Sequence, residues 1–188
     1  MPPGLDREIA RFSQALRRHR LVVGAGYGVV GALAALLVAA IAARLTPLWH
    51  QAALLLASVW AVGGGLLIGA TLGYLWPMPL PRRLRLFDRR LHLADRLTTA
   101  WELAQGRITA PADLVQLQQT ETQAAARAVE PQPAFPLRPP RAVGFAALVL
   151  LPALALALFL ANPQESVLIQ REAQQQAAAA AIAQLEAA

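Results

Sequence analysis

The chain contains no cysteine and no lysine, and its three long apolar runs contain no Asp, Glu, Lys or His. The lack of cysteine excludes disulfides, thiolate zinc ligands and thiol catalysis. Ionisable residues inside membrane spans usually mark proton relays and ion pathways. Their absence argues against a pump, transporter or ion channel formed by this chain alone. The sequence also lacks a catalytic constellation, so we expect no enzyme activity, no cofactor and no metal.

Hydrophobic residues make up 56% of the 188 residues and are concentrated in segments 21–45, 52–76 and 142–161. Each segment reaches the length of about 20 residues needed to cross a hydrocarbon core of about 30 Å. Backbone polar groups in lipid must be bonded within the segment, which requires helices. The first run is also much longer than the apolar core of a signal peptide, about 7–15 residues, so we expect it to be retained.

The predicted fold is all-α: an integral membrane protein with three transmembrane helices, a cytoplasmic amphipathic helical hairpin and a C-terminal extracytoplasmic helix. Apolar periodicity predicts that the hairpin pairs a helix over 83–105 with one over 111–129, followed by an extended proline-rich connector. The tail has high helix propensity, and we expect it to be truncated from a longer protein. The segments are a basic N-terminal helix (1–20), a transmembrane hairpin (21–76), the cytoplasmic hairpin with its connector (77–141), the third span (142–161) and the tail (162–188).

Arginines are concentrated on one side of the predicted spans. Of the 17 arginines, fifteen precede the first span or lie between the second and third. The positive-inside rule therefore places the N-terminus and 77–141 in the cytoplasm and the C-terminus outside, in a multi-pass protein of the cell (inner) membrane. Arginines next to the spans are predicted to contact an anionic cytoplasmic leaflet. They are Arg17, Arg18, Arg20, Arg82, Arg83, Arg85, Arg89 and Arg90.

Small residues recur at every fourth position in the first two spans, which places them on one helix face. Such stripes let membrane helices pack closely. The second span carries Ala53, Ala57, Ala61, Gly65, Gly69 and Gly73, and the first carries Gly31, Ala35, Ala39 and Ala43. Gly24 and Gly28 form another pair on a neighbouring face. We predict that the two stripes face each other in an antiparallel hairpin; self-association or a partner's helix is the alternative use.

Residues 86–103 contain Asp88-Arg89-Arg90-Leu91 and Asp95-Arg96-Leu97. This segment resembles one in uncharacterised bacterial membrane proteins that have a membrane hairpin, a third span and a large extracytoplasmic region. Some are encoded near MoxR-type ATPases. The resemblance implies a membrane-anchored envelope or assembly protein and carries no activity. Physically, we interpret the acidic residues and arginines as exposed ion pairs; a metal site that includes His92 is the alternative.

We therefore expect a noncatalytic membrane anchor or scaffold subunit of a larger bacterial envelope assembly. One alternative is an accessory subunit of a transport or energy-converting membrane complex, and another is a membrane signalling protein. The expected partners are the lipid bilayer and other membrane subunits or further copies of this chain. Nucleic acid is not an expected partner, because positive-inside charge accounts for the basicity.

Overall fold

The computed structural model describes residues 3–45, 51–160, 169–171 and 173–179. The predicted link at 46–50 and most of the predicted tail lie outside the described residues. The structure is 82% helix, and its described residues form no strand.

The described helices are listed in chain order. They are α1 (Pro3–Leu45), α2 (Gln51–Leu75), α3 (Leu80–Arg90), α4 (Arg96–Ala104), α5 (Ala112–Ala128) and α6 (Arg141–Phe159). Within the described ranges, α1, α2 and α6 are long and apolar enough to cross a membrane. The prediction of an all-helical protein with three candidate spans is thus confirmed at this level.

The chain divides into two compact units. The first comprises residues 1–24 and 70–139, and the second comprises residues 25–69 and 140–188. The helices α1 and α2 contribute residues to both.

The core of the first unit is built around the amino-terminal half of α1. Leu5, Ile9, Phe12 and Leu16 follow a spacing of four, three and four residues, which places them on one helix face. They pack with buried residues of the other elements: Leu84, Phe87, Leu91, Leu93, Leu97, Ala100, Trp101, Ala126 and Phe135. The segment predicted as a separate basic helix therefore supplies one wall of a hydrophobic core.

The predicted single helix over 83–105 is wrong, because the chain turns between α3 and α4. His92, Ala94 and Asp95 have left-handed backbone angles, with φ between 51° and 59°. A continuous helix would rotate Leu93 by about 120° away from Phe87. The turn instead allows both side chains to be buried in the same core.

The predicted extended connector also differs from the structure. The Phe135 amide donates a hydrogen bond to the Pro131 carbonyl oxygen at 3.0 Å, which closes a turn. Phe135 is buried, and its ring meets that of Phe87 edge to face with 6.0 Å between centroids. Burial of this aromatic ring holds the proline-rich segment against the first unit instead of leaving it a free spacer.

In the second unit, residues of α1, α2 and α6 share one apolar cluster, formed by Leu33, Leu36, Ala40, Ala43, Leu54, Leu154 and Leu158. Arg44 lies at the end of α1, and its Nε donates to the Ala157 carbonyl oxygen at 3.0 Å. It also donates to the Leu160 carbonyl oxygen. Arg44 thus bonds carbonyls at the end of α6 that lack partners within the helix.

Candidate functional site

A basic cavity of about 320 Å³ lies in the first unit beside the end of α2. Residues of α1, the end of α2, the following turn and α3 form its walls. Its polar and aromatic lining residues are Ser13, Arg17, Arg20, Tyr74, Trp76 and Arg83. We call this cavity the arginine pocket.

The local sequence explains how these residues meet. Ser13, Arg17 and Arg20 are spaced by four and three residues, so they share one face of α1. Three prolines follow α2 at alternate positions, and Pro79 has the extended backbone angles φ −62° and ψ 146°. Proline removes an amide donor and cannot continue a helix, which ends α2 before Pro77. The turn then starts α3, which supplies Arg83 to the same cavity.

The guanidinium groups of the arginine pocket are held by neighbouring polar groups. Arg20 Nη1 donates to the Trp76 carbonyl oxygen at 3.0 Å, just past the end of α2. Arg83 Nη1 donates to Ser13 Oγ at 3.3 Å. The Arg83 Nε atom is buried and has no hydrogen-bond partner among the described residues.

The electrostatics of the pocket favour an anion. Three arginines line it and no acidic residue does. Their like charges repel one another, and an anion between them would relieve that repulsion. Guanidinium groups bind phosphate and carboxylate oxygens through paired N–H donors. The arrangement is suited to binding an anion. The Ser13 hydroxyl has no histidine or carboxylate beside it among the lining residues to act as a base.

The structure divides the eight arginines predicted to contact the membrane surface into three groups. Arg17, Arg20 and Arg83 line the arginine pocket, and Arg17 lies over the Tyr74 ring at 5.9 Å. Arg90 lies elsewhere, with Nη1 donating to the Ala134 carbonyl oxygen at 3.1 Å. The remaining four are exposed: Arg18, Arg82, Arg85 and Arg89.

Gly65, Gly69 and Gly73 of the predicted α2 stripe lie against α1, but their partner residues differ from the prediction, and Ala53 and Ala57 are exposed. In the second unit, a methyl group at Gly65 would lie 2.6 Å from the Gly28 carbonyl oxygen and 2.7 Å from the Ala32 methyl carbon. A methyl group at Gly28 would lie 3.0 Å from the Gly69 Cα. In the first unit, a methyl group at Gly73 would lie 3.2 Å from the Gly24 Cα.

The stripe predicted for α1 is therefore corrected. Gly31 and Ala35 are exposed, and a methyl group at Gly31 would meet nothing within 4 Å. The close approach uses Gly24, Gly28 and Ala32 instead. Ala39 and Ala61 are partly buried and Ala57 is exposed. In the second unit, Leu33 and Leu36 of α1 are buried in a cluster with residues of α2 and α6, so the buried side of α1 does not include Gly31.

Asp88 is a buried helix cap, not a member of an exposed ion-pair network. Its side chain is 2% exposed, and one carboxylate oxygen accepts from the Leu97 amide at 3.0 Å. The other oxygen accepts from the amide and the hydroxyl of Thr98, at 2.9 and 2.6 Å. These amides belong to the first turn of α4, where helix donors lack partners within the helix. Asp95 stands at the N-cap itself, and its side chain makes no capping bond.

The alternative metal site at His92 gains no support from the geometry. In residues 3–45, 51–160 and the two short described stretches beyond, no group of three or more His, Cys, Asp or Glu residues is placed to hold a metal ion.

The sequence did not predict the contacts that two residues of the first unit, Arg11 and Glu8, make in the structure. Arg11 donates to the Ala126 and Val129 carbonyl oxygens at 3.0 and 2.8 Å, and so bonds the end of α5. It also pairs with Glu8 at 3.1 Å. The apolar stripe on the same segment of α1 was a readable signal that this segment packs in a core. Nothing in the sequence pointed to the carbonyls of α5 as the partner of Arg11.

Comparison of this chain with protein-family models, with curated proteins and with solved structures finds no match.

Proposed function

We propose that this chain is a noncatalytic membrane anchor or scaffold subunit of a larger bacterial envelope assembly. The supporting observation is the combination of three apolar candidate spans with a helical unit that has its own hydrophobic core. The apolar runs of these spans contain no Asp, Glu, Lys or His that would serve an ion pathway. The chemistry of such an assembly would then come from other membrane subunits.

The proposal places the N-terminus and residues 77–141 in the cytoplasm. The asymmetry of the arginines supports this orientation. The chain has no native cysteine, so single cysteines report topology without background. We expect Ala104→Cys to resist an impermeant maleimide in intact cells and Gln175→Cys to react. Both positions are exposed, so labelling of both after membrane permeabilisation is the control. The reverse pattern in intact cells would contradict the orientation.

The scaffold proposal is tested by purification of the tagged full chain from its native membrane in mild detergent. We expect stoichiometric partner proteins, identified by mass spectrometry, to remain bound. A second purification after a high-salt wash separates stable subunits from proteins held by exposed charge, because salt screens such contacts. Recovery of the chain alone as a defined homo-oligomer would contradict the scaffold proposal and favour self-association.

A further inference from the structure

We propose that the arginine pocket binds the phosphate group of an anionic phospholipid headgroup. A lipid headgroup and a soluble phosphate both present a phosphate anion, so either could supply the group that the pocket binds. The inference depends only on residence in a membrane, so it fails or succeeds independently of the scaffold proposal.

The donors of the pocket fit a phosphate group. Each guanidinium offers five N–H donors, and Arg20 and Arg83 each use one Nη donor on a neighbouring oxygen. Phosphate oxygens can accept several such bonds at once. The volume of about 320 Å³ equals roughly ten liquid-water volumes, which leaves room for a phosphate with part of a glycerol group.

The position of the pocket favours a lipid over a soluble phosphate. Arg17 and Arg20 lie within the last turn before the apolar run of α1, which starts at residue 21, and Trp76 is the last residue of the second apolar run. The pocket thus lies at a boundary between charged and apolar sequence, the depth at which headgroups and interfacial aromatic residues meet. Basic pockets beside transmembrane helices are known to bind anionic headgroups.

The surface next to the pocket suits an acyl chain. Leu75 lines the cavity and is 66% exposed, and Trp76 is 63% exposed. A headgroup held by the arginines would leave its acyl chains against these exposed apolar side chains. A soluble phosphate would use the donors and leave this apolar surface uncovered.

The test uses the purified full chain in nanodiscs of phosphatidylcholine with increasing fractions of phosphatidylglycerol. Retained phosphatidylglycerol is counted by native mass spectrometry. We expect Arg83→Gln to weaken retention about tenfold, the effect of one lost charge-assisted hydrogen bond. The matched control is Arg85→Gln, which removes the same charge from an exposed position on α3 outside the pocket. We expect this control to change retention by less than about twofold.

Two further measurements keep the proposal falsifiable. Arg17→Gln is the second pocket variant, used if circular dichroism shows that Arg83→Gln loses helix. Inorganic phosphate added to nanodiscs of phosphatidylcholine alone tests the soluble source. Equal retention by the Arg83→Gln and Arg85→Gln variants would overturn the proposal in favour of diffuse charge attraction. An Arg83-dependent thermal stabilisation by inorganic phosphate, equal to that given by phosphatidylglycerol, would overturn the lipid assignment.

Discussion

Replacing Gly28 by alanine is expected to destabilise the packing of α1 against α2 by about 1–3 kcal/mol, the usual cost of forcing extra volume into a packed contact. The added methyl group would overlap the Gly65 carbonyl oxygen and approach the Gly69 Cα to 3.0 Å. Both are backbone atoms, so no side-chain rotation relieves the clash. The two helices must separate, which weakens the close contact on which membrane helix packing depends.

Gly31 is the matched control for this substitution. It lies one turn away on the same helix, and a methyl group there would meet nothing within 4 Å. Alanine favours helix by about 1 kcal/mol over glycine, so we expect Gly31→Ala to be neutral or slightly stabilising. The two substitutions add the same atoms to the same helix, and only the one at Gly28 is expected to lower the free energy of unfolding.

The measurement is unfolding of the purified full chain from mild detergent into increasing SDS, followed by circular dichroism. A second matched pair comes from α2, where Gly65 faces Gly28 and Ala32 and a methyl group at Gly63 would meet nothing within 4 Å. We expect Gly65→Ala to shift the midpoint downward and Gly63→Ala to leave it nearly unchanged. Equal midpoints within both pairs would show that this packing face is not used inside the chain.

The candidate spans were predictable because their signal is local. Length and uninterrupted apolar character are properties of one segment and need no knowledge of its neighbours. The small-residue stripe of α2 was equally visible. The face of α1 that packs against this stripe could not be predicted, because it depends on the tertiary packing of α1 with the other helices. Leu154 and Leu158 of α6 belong to the same apolar cluster as Leu33 and Leu36, and no pattern within α1 shows which residues of α6 join that cluster.

The break between α3 and α4 was hidden by a real helical periodicity. Phe87, Leu91 and Ala94 recur at helical spacing, yet Leu93 must also be buried. A left-handed backbone at Ala94 is unusual for a residue with a side chain. Local propensity therefore favours a continuous helix, and the tertiary core overrides it. The sequence pattern shows the helical periodicity but not the gain from burying both Phe87 and Leu93 in one core, so it predicts a continuous helix.

The sequence identified the arginines of the arginine pocket but did not predict that they line one cavity. Arg17, Arg20 and Arg83 were identified as basic residues near the membrane from their positions beside the spans. Their convergence depends on Arg83, which is separated from Arg20 by the whole of α2 and its neighbouring segments. The proline-containing turn after α2 places α3 beside α1. The spacing of the arginines does not predict the direction in which the chain turns there.

The second large effect is expected at Asp88, where replacement by asparagine should destabilise the first unit by about 2–4 kcal/mol. The carboxylate accepts three hydrogen bonds from Leu97 and Thr98. An asparagine side chain keeps one acceptor oxygen and turns the other position into a donor. At least one donor of the α4 first turn then faces an NH₂ group in a site that is 2% exposed, and a buried donor without an acceptor is costly.

Asp95 provides the matched control within the same sequence motif. It is exposed and makes no capping hydrogen bond through its side chain. Asparagine tolerates the left-handed backbone at this position as well as aspartate does. The substitution removes only a charge near the start of α4, worth about 0.3–1 kcal/mol at an exposed helix end. We therefore expect Asp95→Asn to cost less than about 1 kcal/mol.

Amide hydrogen exchange of the full chain in detergent separates a buried cap from a surface charge network. Loss of the cap should speed exchange across the first turn of α4 in Asp88→Asn, because local opening exposes those amides. The effect should persist in 1 M salt, since the bonds are buried and their partners are neutral amide and hydroxyl groups. Exposed ion pairs with Arg89 and Arg90 would be screened at that ionic strength. An Asp88→Asn effect that disappears in high salt, or that Asp95→Asn reproduces, would favour the surface network over the cap.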